Sequence, residues 1–435
     1  MNRPSHLFAF RAAAFLALAA ALPAVAQQPA PAAAPQLVFT PIKASGMYAV
    51  GERAGWTVTL APGAAVPPAG FPFVITKNRK DTLRYGVLDF STGSAQLEEK
   101  ISEPAMLYAQ VRTGPTGPRA TVNLGAAIGI TQIAPVVPRP SDFDHFWDEK
   151  IEAQKKLPMN PVLTPVETKV PDIELFTVKL NALGSTVQGY LAKPKGEGKF
   201  PALVIYQYAG VYPLQQQWST SRATEGWLTL NVDSHDVAPD QTTDVPRNYQ
   251  AVGNTSRDSS YFLKMYLRDT RAVDYLASRP DWDGRILVAT GTSMGGQQSL
   301  VTAGLNPKIT AVVVNEPSGA DVNAALHGRA PGYPNWLASD PNVMEAARYF
   351  DTVNFASRIK APVCIAVGFI DTTATPVGII TAFNQIPGAK ELIPMIDSDH
   401  NHITPEKQGQ WNARSKEILD LIRTGGTFVP KSLQP

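Results

Sequence analysis

The sequence has little cysteine, little histidine and almost no net charge, and each shortage excludes a class of protein. Cys364 is the only cysteine among the 435 residues. An intramolecular disulfide is therefore excluded, and the apolar run around this residue predicts a buried structural thiol. The 39 basic residues nearly balance the 37 acidic ones, so nothing points to a nucleic acid or an anionic membrane as a partner. Beyond residue 26, no apolar stretch is long enough to span a bilayer.

The first 26 residues have the pattern of a secretory signal peptide. Arg3 and Arg11 form a basic start, Ala12–Leu22 is apolar, and Ala24–Ala26 supplies a small-x-small cleavage site before Gln27. We therefore expect an exported protein, either periplasmic or secreted, with no membrane attachment after cleavage. Removing the two arginines leaves a mature chain with 37 basic and 37 acidic residues.

Two regions of different character follow a proline- and alanine-rich spacer at residues 27–36. Residues 37–134 contain short extended runs between proline- and glycine-rich turns, which predicts a small all-β domain of the immunoglobulin-like sandwich type. This region has no histidine, and a polymer-binding, a packing and a spacer role all stay open for it. In residues 138–430 apolar strands alternate with helical patterns, which predicts an α/β domain with a mostly parallel sheet.

The most informative segment is Gly291-Thr292-Ser293-Met294-Gly295-Gly296. The apolar run Ile286–Ala289 precedes it, and a helical pattern follows it. This layout is typical of a nucleophile elbow, in which a serine lies on a sharp turn between a strand and a helix. Glycines are expected on both sides because the turn leaves no room for larger residues. The segment therefore predicts a serine hydrolase with Ser293 as the nucleophile.

An acid and a base follow the elbow in the chain order of an α/β-hydrolase. Asp371 comes just after the apolar run Val363–Val367, and His400 follows the last run, Leu392–Ile396. A serine hydroxyl is a poor nucleophile and needs a neutral imidazole to accept its proton. We therefore predict that His400 is the base and that Asp371 orients it and stabilises the imidazolium.

Other residues of the last loop leave alternatives open. His402 is a rival base, although we favour His400, and Asp397 and Asp399 are rival acids that lie closer to the base in sequence than the usual layout has them. The same carboxylates and imidazoles could be interpreted as a metal site, but that interpretation leaves the elbow unexplained. We expect neither a metal nor a cofactor.

Two backbone N–H groups should bind the oxyanion of the tetrahedral intermediate. The first is that of Met294, directly after the nucleophile. The second should lie in the loop after the strand Ala202–Tyr206, where we favour Ala209 over Tyr208. Tyr206 and Tyr208 are also candidates to line a small acyl pocket.

Two further stretches carry a family signature. Residues Arg139–Trp147 read Arg-Pro-Ser-Asp-Phe-Asp-His-Phe-Trp, and a second stretch runs from Tyr266 through Leu276 to the elbow. Both resemble the acetyl xylan esterase/cephalosporin C deacetylase family, carbohydrate esterase family 7, over roughly residues 138–425. The resemblance implies an α/β-hydrolase fold, removal of acetyl groups from sugars, and Ser293, Asp371 and His400 as the triad.

The chain departs from that family at two places in the site. Met294 stands where the family usually has glutamine, and Tyr208–Tyr212 replaces a loop that is commonly similar to Gly-Tyr-Asn-Gly-Gly. Both departures fall beside the predicted oxyanion donors. The acyl and alcohol specificities implied by the resemblance are therefore in question.

The leading hypothesis is an exported esterase that removes acetyl groups from acetylated xylan, xylo-oligosaccharides or similar sugar acetates through an acetyl-Ser293 intermediate. One alternative is a prolyl-oligopeptidase-like peptidase or a general short-chain carboxylesterase, although about 100 N-terminal residues are too few for a propeller. A second is a non-catalytic carbohydrate-binding protein, which the intact order of serine, acid and base argues against. The sequence leaves the oligomeric state, including a homo-oligomer, open.

Overall fold

The computed structural model describes residues 36–114, 121–400 and 404–433. The predicted signal peptide, nearly all of the spacer and the rival base His402 lie outside the described residues. Within the described ranges, no helix has both the length and the apolar character needed to cross a membrane.

Among the described residues of the N-terminal region, eight strands form two sheets. They are β1 (Leu37–Pro41), β2 (Met47–Tyr48), β3 (Arg53–Leu60), β4 (Pro72–Lys77), β5 (Asp81–Val87), β6 (Ala95–Lys100), β7 (Ala105–Arg112) and β8 (Thr121–Ile128). One sheet has the order β1-β3-β6 and the other β2-β8-β7-β4-β5. Buried side chains from both sheets, among them Trp56 and Leu107, share one hydrophobic core, so the two sheets form a small sandwich.

A nine-stranded sheet forms the centre of the rest of the chain. Its strands are β9 (Val162–Val166), β10 (Ile173–Ala182), β11 (Ser185–Pro194), β12 (Phe200–Tyr206), β13 (Leu228–Val232), β14 (Trp282–Thr292), β15 (Ala311–Asn315), β16 (Val363–Gly368) and β17 (Lys390–Met395). Their order is β17-β16-β15-β14-β12-β13-β11-β10-β9. The strands from β17 to β13 are parallel, and β11, β10 and β9 continue the sheet in antiparallel pairs.

Helices flank this sheet and explain why its central strands are apolar throughout. The helices are α1 (Phe143–Lys155), α2 (Gln216–Thr224), α3 (Tyr261–Ser278), α4 (Met294–Leu305), α5 (Pro341–Ala347), α6 (Thr352–Ala356), α7 (Pro376–Gln385) and α8 (Pro405–Arg423). Every residue of β13, β15 and β16 is buried, as expected for parallel strands covered on both faces. The carboxyl ends of β14, β15, β16 and β17 lie along one edge, where α/β folds place their functional sites.

Helix α1 begins one residue later than the sequence pattern suggests. The sequence favours Ser141 as its N-cap, but the cap position belongs to Asp142, whose side chain makes no capping hydrogen bond. Its carboxylate instead accepts hydrogen bonds from Arg257, at 2.6 Å, and from the Tyr349 hydroxyl. The Asp142 carboxylate, which could have capped the helix, is therefore bound by residues distant in sequence.

The sandwich packs against the loop that follows β16. A Cβ built on Gly125 in β8 would lie 2.4 Å from the backbone oxygen of Phe369, so the two backbones approach as closely as a glycine permits. Arg79, between β4 and β5, donates a hydrogen bond to the backbone oxygen of Ile370 and stacks on the ring of Tyr108. The residue after Ile370 is the predicted acid.

The two regions also share hydrophobic core. Met47, Met106 and Tyr108 of the sandwich belong to the same buried cluster as Val367 and many other residues around the large sheet. The described residues of both regions belong to one compact unit. The packing role that the sequence left open for the N-terminal region is therefore observed.

Candidate active site

Ser293 occupies the single position between strand β14 and helix α4. Its backbone has φ 58° and ψ −123°, a conformation that residues with a side chain rarely adopt. The surroundings hold it there: its N–H donates to the oxygen of Asn315, and its carbonyl accepts from the N–H groups of Gln297 and Ser318. This is the geometry of a nucleophile elbow.

The glycines of the elbow are required by close backbone contacts. A Cβ on Gly291 would lie 2.4 Å from the carbonyl carbon of Gly295, and a Cβ on Gly295 would lie 2.2 Å from the backbone oxygen of Tyr206. Neither position has room for a larger residue. Helix α4 can therefore begin immediately above the end of β12.

The structure brings Ser293, His400 and Asp371 into one hydrogen-bonded chain. Nδ1 of His400 lies 2.7 Å from Oδ2 of Asp371, and Nε2 lies 2.9 Å from Oγ of Ser293. A carboxylate can only accept, so Nδ1 carries the proton, and Nε2 of the neutral ring then accepts from the serine hydroxyl. The other oxygen of Asp371 accepts from the N–H groups of Thr373 and Ala374, which fixes the carboxylate.

The rival acids have other positions. Asp397 is exposed, and Asp399, next to His400 in the chain, affects the imidazole through its charge. Burial alone would lower the pKa of His400. The hydrogen bond and charge of Asp371, together with the charges of Glu316 and Asp399, outweigh this and raise the pKa above its usual value. The site therefore favours the imidazolium that forms when the ring accepts a proton.

Glu316 is a buried acid beside the triad that the sequence analysis missed. It follows β15, and its Oε2 lies 3.9 Å from Nδ1 of His400. Burial, with the charge of Asp371, raises its pKa to about 7. Glu316, Asp371 and His400 bring ligand-type atoms within 4.8 Å of one another, but both imidazole nitrogens already have hydrogen-bond partners, which suits proton transfer better than metal binding.

Met294 is buried behind the nucleophile, at the first position of α4. The first N–H groups of a helix have no acceptor within it, and the helix dipole favours negative charge there. The Met294 sulfur lies 3.4 Å from the hydroxyl of Tyr249 and 3.2 Å from that of Tyr333. The two hydroxyls are hydrogen-bonded to each other at 2.6 Å, so one of them donates to the other and the second donates to the sulfur. The side chain that differs from the family thus connects two further segments to the elbow.

His235 holds the loop that carries the second predicted oxyanion donor, Ala209. Its Nε2 lies 2.9 Å from the backbone oxygen of Gly210, and its Nδ1 lies 2.9 Å from the Tyr261 hydroxyl. Burial lowers its pKa to about 4, so the ring is neutral at neutral pH. Because a carbonyl cannot donate, Nε2–H donates to Gly210 and Nδ1 accepts from Tyr261.

The predicted aromatic pocket is wrong for one of its two residues. Tyr206 is buried in the core, where its hydroxyl donates to the backbone oxygen of Asp269. Tyr208 is exposed and stacks on Tyr212, with 4.7 Å between ring centroids. Successive strand residues point to opposite faces, and the sequence pattern did not reveal that Tyr206 points into the core.

Comparison with known proteins identifies the family of this chain. Residues 129–415 match the family described as "Acetyl xylan esterase (AXE1)". "Acetyl esterase Axe7A" of Xylanibacter ruminicola is 34% identical over 286 residues, which are 62% of this chain. The matched part spans 65% of the length of that relative.

Two solved structures share the fold. An acetyl xylan esterase from Paenibacillus sp. R4 aligns with a TM-score of 0.59 and 24% identity, over 66% of this chain and 98% of its own. Acetyl xylan esterase 1 from Thermoanaerobacterium sp. JW/SL YS485 aligns with a TM-score of 0.55 and 20% identity, over 66% and 96%. At these identities the likeness shows the fold, and it confirms the predicted α/β-hydrolase class. Because the family match covers more than half of its residues, this chain belongs to the acetyl xylan esterase family.

Proposed function

We propose that the protein is an exported serine esterase that releases acetate from acetylated xylan, xylo-oligosaccharides or similar sugar acetates. The observation that carries the proposal is the unbroken chain of hydrogen bonds from Ser293 through His400 to Asp371. Membership of the acetyl xylan esterase family and the acetyl esterase of Xylanibacter ruminicola support an acetyl group as the acyl part. The triad needs neither a metal nor a cofactor for this chemistry.

In the first half of the reaction, Oγ of Ser293 attacks the acetyl carbonyl carbon while Nε2 of His400 accepts the hydroxyl proton. The carbonyl oxygen becomes an oxyanion, which the N–H groups of Met294 and Ala209 stabilise, with Tyr208 as the alternative second donor. When the tetrahedral intermediate collapses, the bond to the sugar oxygen breaks. His400 returns its proton to that oxygen, and an acetyl group remains on Ser293.

In the second half, a water molecule replaces the sugar alcohol. Nε2 of His400 accepts a proton from the water as its oxygen attacks the acetyl carbon, and the same N–H groups bind the second oxyanion. Collapse breaks the bond to Oγ, which regains a proton from His400, and acetate leaves. Asp371 keeps the imidazole in the required tautomer throughout and stabilises the imidazolium without taking its proton.

Acetate release from acetylated xylan by the wild type and by Ser293→Ala tests the proposal. The variant should lose at least about 10⁴-fold in kcat, since a triad without its nucleophile retains little activity. Ser299→Ala is the matched control, because Ser299 lies on the same helix and donates to the backbone oxygen of Gly295. It should remain active. A fluorophosphonate should label the wild type and Ser299→Ala but leave Ser293→Ala unmodified.

Other substrates separate the alternatives. Faster hydrolysis of butyrate or longer esters would favour a general carboxylesterase, and cleavage of peptides would favour a peptidase. A wild type that binds xylan but is neither labelled nor active would be a binding protein. N-terminal sequencing of the exported protein tests the proposed cleavage, which should leave Gln27 first; a chain that still begins at Met1 would contradict it.

A further inference from the structure

Glu316 occupies a strained position between the strands that carry the nucleophile and the acid. It follows the last residue of β15, the strand between β14 and β16 in the sheet. Its φ is 44°, in the left-handed region that favours glycine, and its N–H donates to the backbone oxygen of Ala366. A residue with a long side chain persists in such a conformation only where the surroundings impose it, and such positions concentrate at functional sites.

Two side chains donate hydrogen bonds to the carboxylate of Glu316. Nε2 of Gln408 lies 3.2 Å from Oε2, and Oγ of Ser398 lies 3.4 Å from Oε1. Nδ2 of Asn315 donates to Oε1 of Gln408, so the amide group of Gln408 can only point towards the glutamate. A Cβ on Gly368 would lie 2.5 Å from Oε1, so the space for this carboxylate depends on a glycine.

The imidazole of His400 therefore faces two buried carboxylates on one side. Oδ2 of Asp371 lies 2.7 Å from Nδ1, and Oε2 of Glu316 lies 3.9 Å from the same atom. One carboxylate is enough to fix the tautomer of a catalytic histidine. The second comes from a different strand end, is held by its own donors, and has no part in the mechanism described above.

We propose that Glu316 is a second positioning carboxylate for His400, which shares with Asp371 the stabilisation of the imidazolium and can hold Nδ1–H when Asp371 is neutralised. The proposal rests on the proposed function, because it requires His400 to be the base. No bond is made or broken at Glu316. The proton on Nδ1 remains there, and the negative charge of the glutamate favours the state in which Nε2 is protonated as well.

The charge of Glu316 has a measurable effect on the base. The charged groups that act on His400 are Asp371, Glu316 and Asp399, the residue before His400 in the chain. Arg79 of the sandwich donates to the backbone oxygen of Ile370, the residue before Asp371. An ionised carboxylate 3.9 Å from Nδ1 raises the pKa of the ring by about one unit even with water-like screening. Because the pKa of Glu316 is itself about 7, this charge is fully present only above that pH. Removing it should move the acidic limb of kcat/KM to lower pH, since the ring then stays unprotonated down to a lower pH.

A double-mutant cycle in the full-length protein tests the proposal, with Glu316→Gln, Asp371→Asn and the double variant. p-Nitrophenyl acetate serves as substrate over the range of about pH 5 to 9 that surrounds a histidine titration. Glu316→Gln should lower kcat about tenfold with KM unchanged, and should shift the acidic limb down by up to about one unit. Adding Glu316→Gln to Asp371→Asn should cost a further factor of about 100, because no carboxylate then remains beside Nδ1.

Asp351→Asn is the matched control. Its carboxylate is buried, burial also raises its pKa to about 7, and it accepts from the N–H groups of Asp321, Val322 and Val353 instead of facing the imidazole. This variant should lose thermal stability without moving the acidic limb. Glu316→Asp keeps the negative charge, so the acidic limb of its pH profile should return towards the wild-type position. This variant replaces Glu316→Gln in the test if Glu316→Gln does not fold.

The outcomes are distinct. An unshifted acidic limb in Glu316→Gln, or a double variant no slower than Asp371→Asn, overturns the proposal. Equal shifts in Glu316→Gln and Asp351→Asn also overturn it, since a general loss of buried charge would then be the cause. If the wild type fails to react with a fluorophosphonate at Ser293, the proposed function fails instead.

Discussion

Gly125→Ala should disturb the active site from the N-terminal sandwich. The added methyl group would lie 2.4 Å from the backbone oxygen of Phe369, whereas unstrained C···O contacts need about 3.3 Å. One backbone must therefore move by about 1 Å. Because Phe369 is two residues before Asp371, much of this displacement should reach the acid, and a 1 Å misplacement can lower kcat about 100-fold. The overpacking should also cost about 1–3 kcal/mol of unfolding free energy.

The measurement is kcat for p-nitrophenyl acetate together with thermal unfolding. Gly86→Ala in strand β5 is the control, since a methyl group there meets only the ring of Phe73, at 3.3 Å. It should leave kcat within about twofold of the wild type. A Gly125→Ala protein with wild-type kcat would refute the argument that the sandwich positions the acid loop. Equal losses in the two variants would show a general effect on the sandwich.

Two further predictions concern Arg79 and the buried carboxylate of Asp269. Arg79→Ala removes the hydrogen-bond donor to the backbone oxygen of Ile370. It should lower kcat about fivefold, which corresponds to the roughly 1 kcal/mol that one hydrogen bond contributes. Arg84→Ala, on the same hairpin, removes an ion pair with Glu99 and should leave kcat unchanged. Similar kcat values in the two variants would contradict this. Asp269 in α3 is fully buried, with no hydrogen-bond partner for its carboxylate among the described residues, and burial holds its pKa well above the usual value. The contribution of Asp269 to stability is therefore fully present below about pH 4 and is lost as the pH rises through the raised pKa. We expect Asp269→Asn to raise the free energy of unfolding by roughly 1–3 kcal/mol at pH 7, as measured by chemical denaturation. Parallel pH profiles of stability for variant and wild type would refute this.

Local chemistry made part of the site predictable from sequence. The elbow is contained in six consecutive residues, and two of its glycines, Gly291 and Gly295, are required by contacts within 2.5 Å. Asp371 and His400 could be selected because parallel strands place their carboxyl ends along one edge of the sheet. The fold class followed from strands that are apolar on both faces, such as β13, β15 and β16.

The parts that escaped prediction depend on contacts distant in sequence. Glu316 looks like any polar residue after a strand, and its role becomes visible only when β16 and β17 place their loops around it. His235 orients the loop of Ala209 through the backbone oxygen of Gly210, and no pattern near it in the sequence indicates this contact. Arg79 and Gly125 lie in a region that has no histidine and no catalytic motif, so no sequence pattern could connect them to Asp371.

The hydrophobic core shared by the sandwich and the large sheet extends beyond the segment that matches the family. The family match begins at residue 129, but Met47, Met106 and Tyr108 are buried together with Val367 from the other side of that boundary. The segment that matches the family is thus smaller than the compact unit to which it belongs. In this chain, an enzyme shortened to the matched region would expose apolar side chains to solvent and lose the support beneath its acid loop.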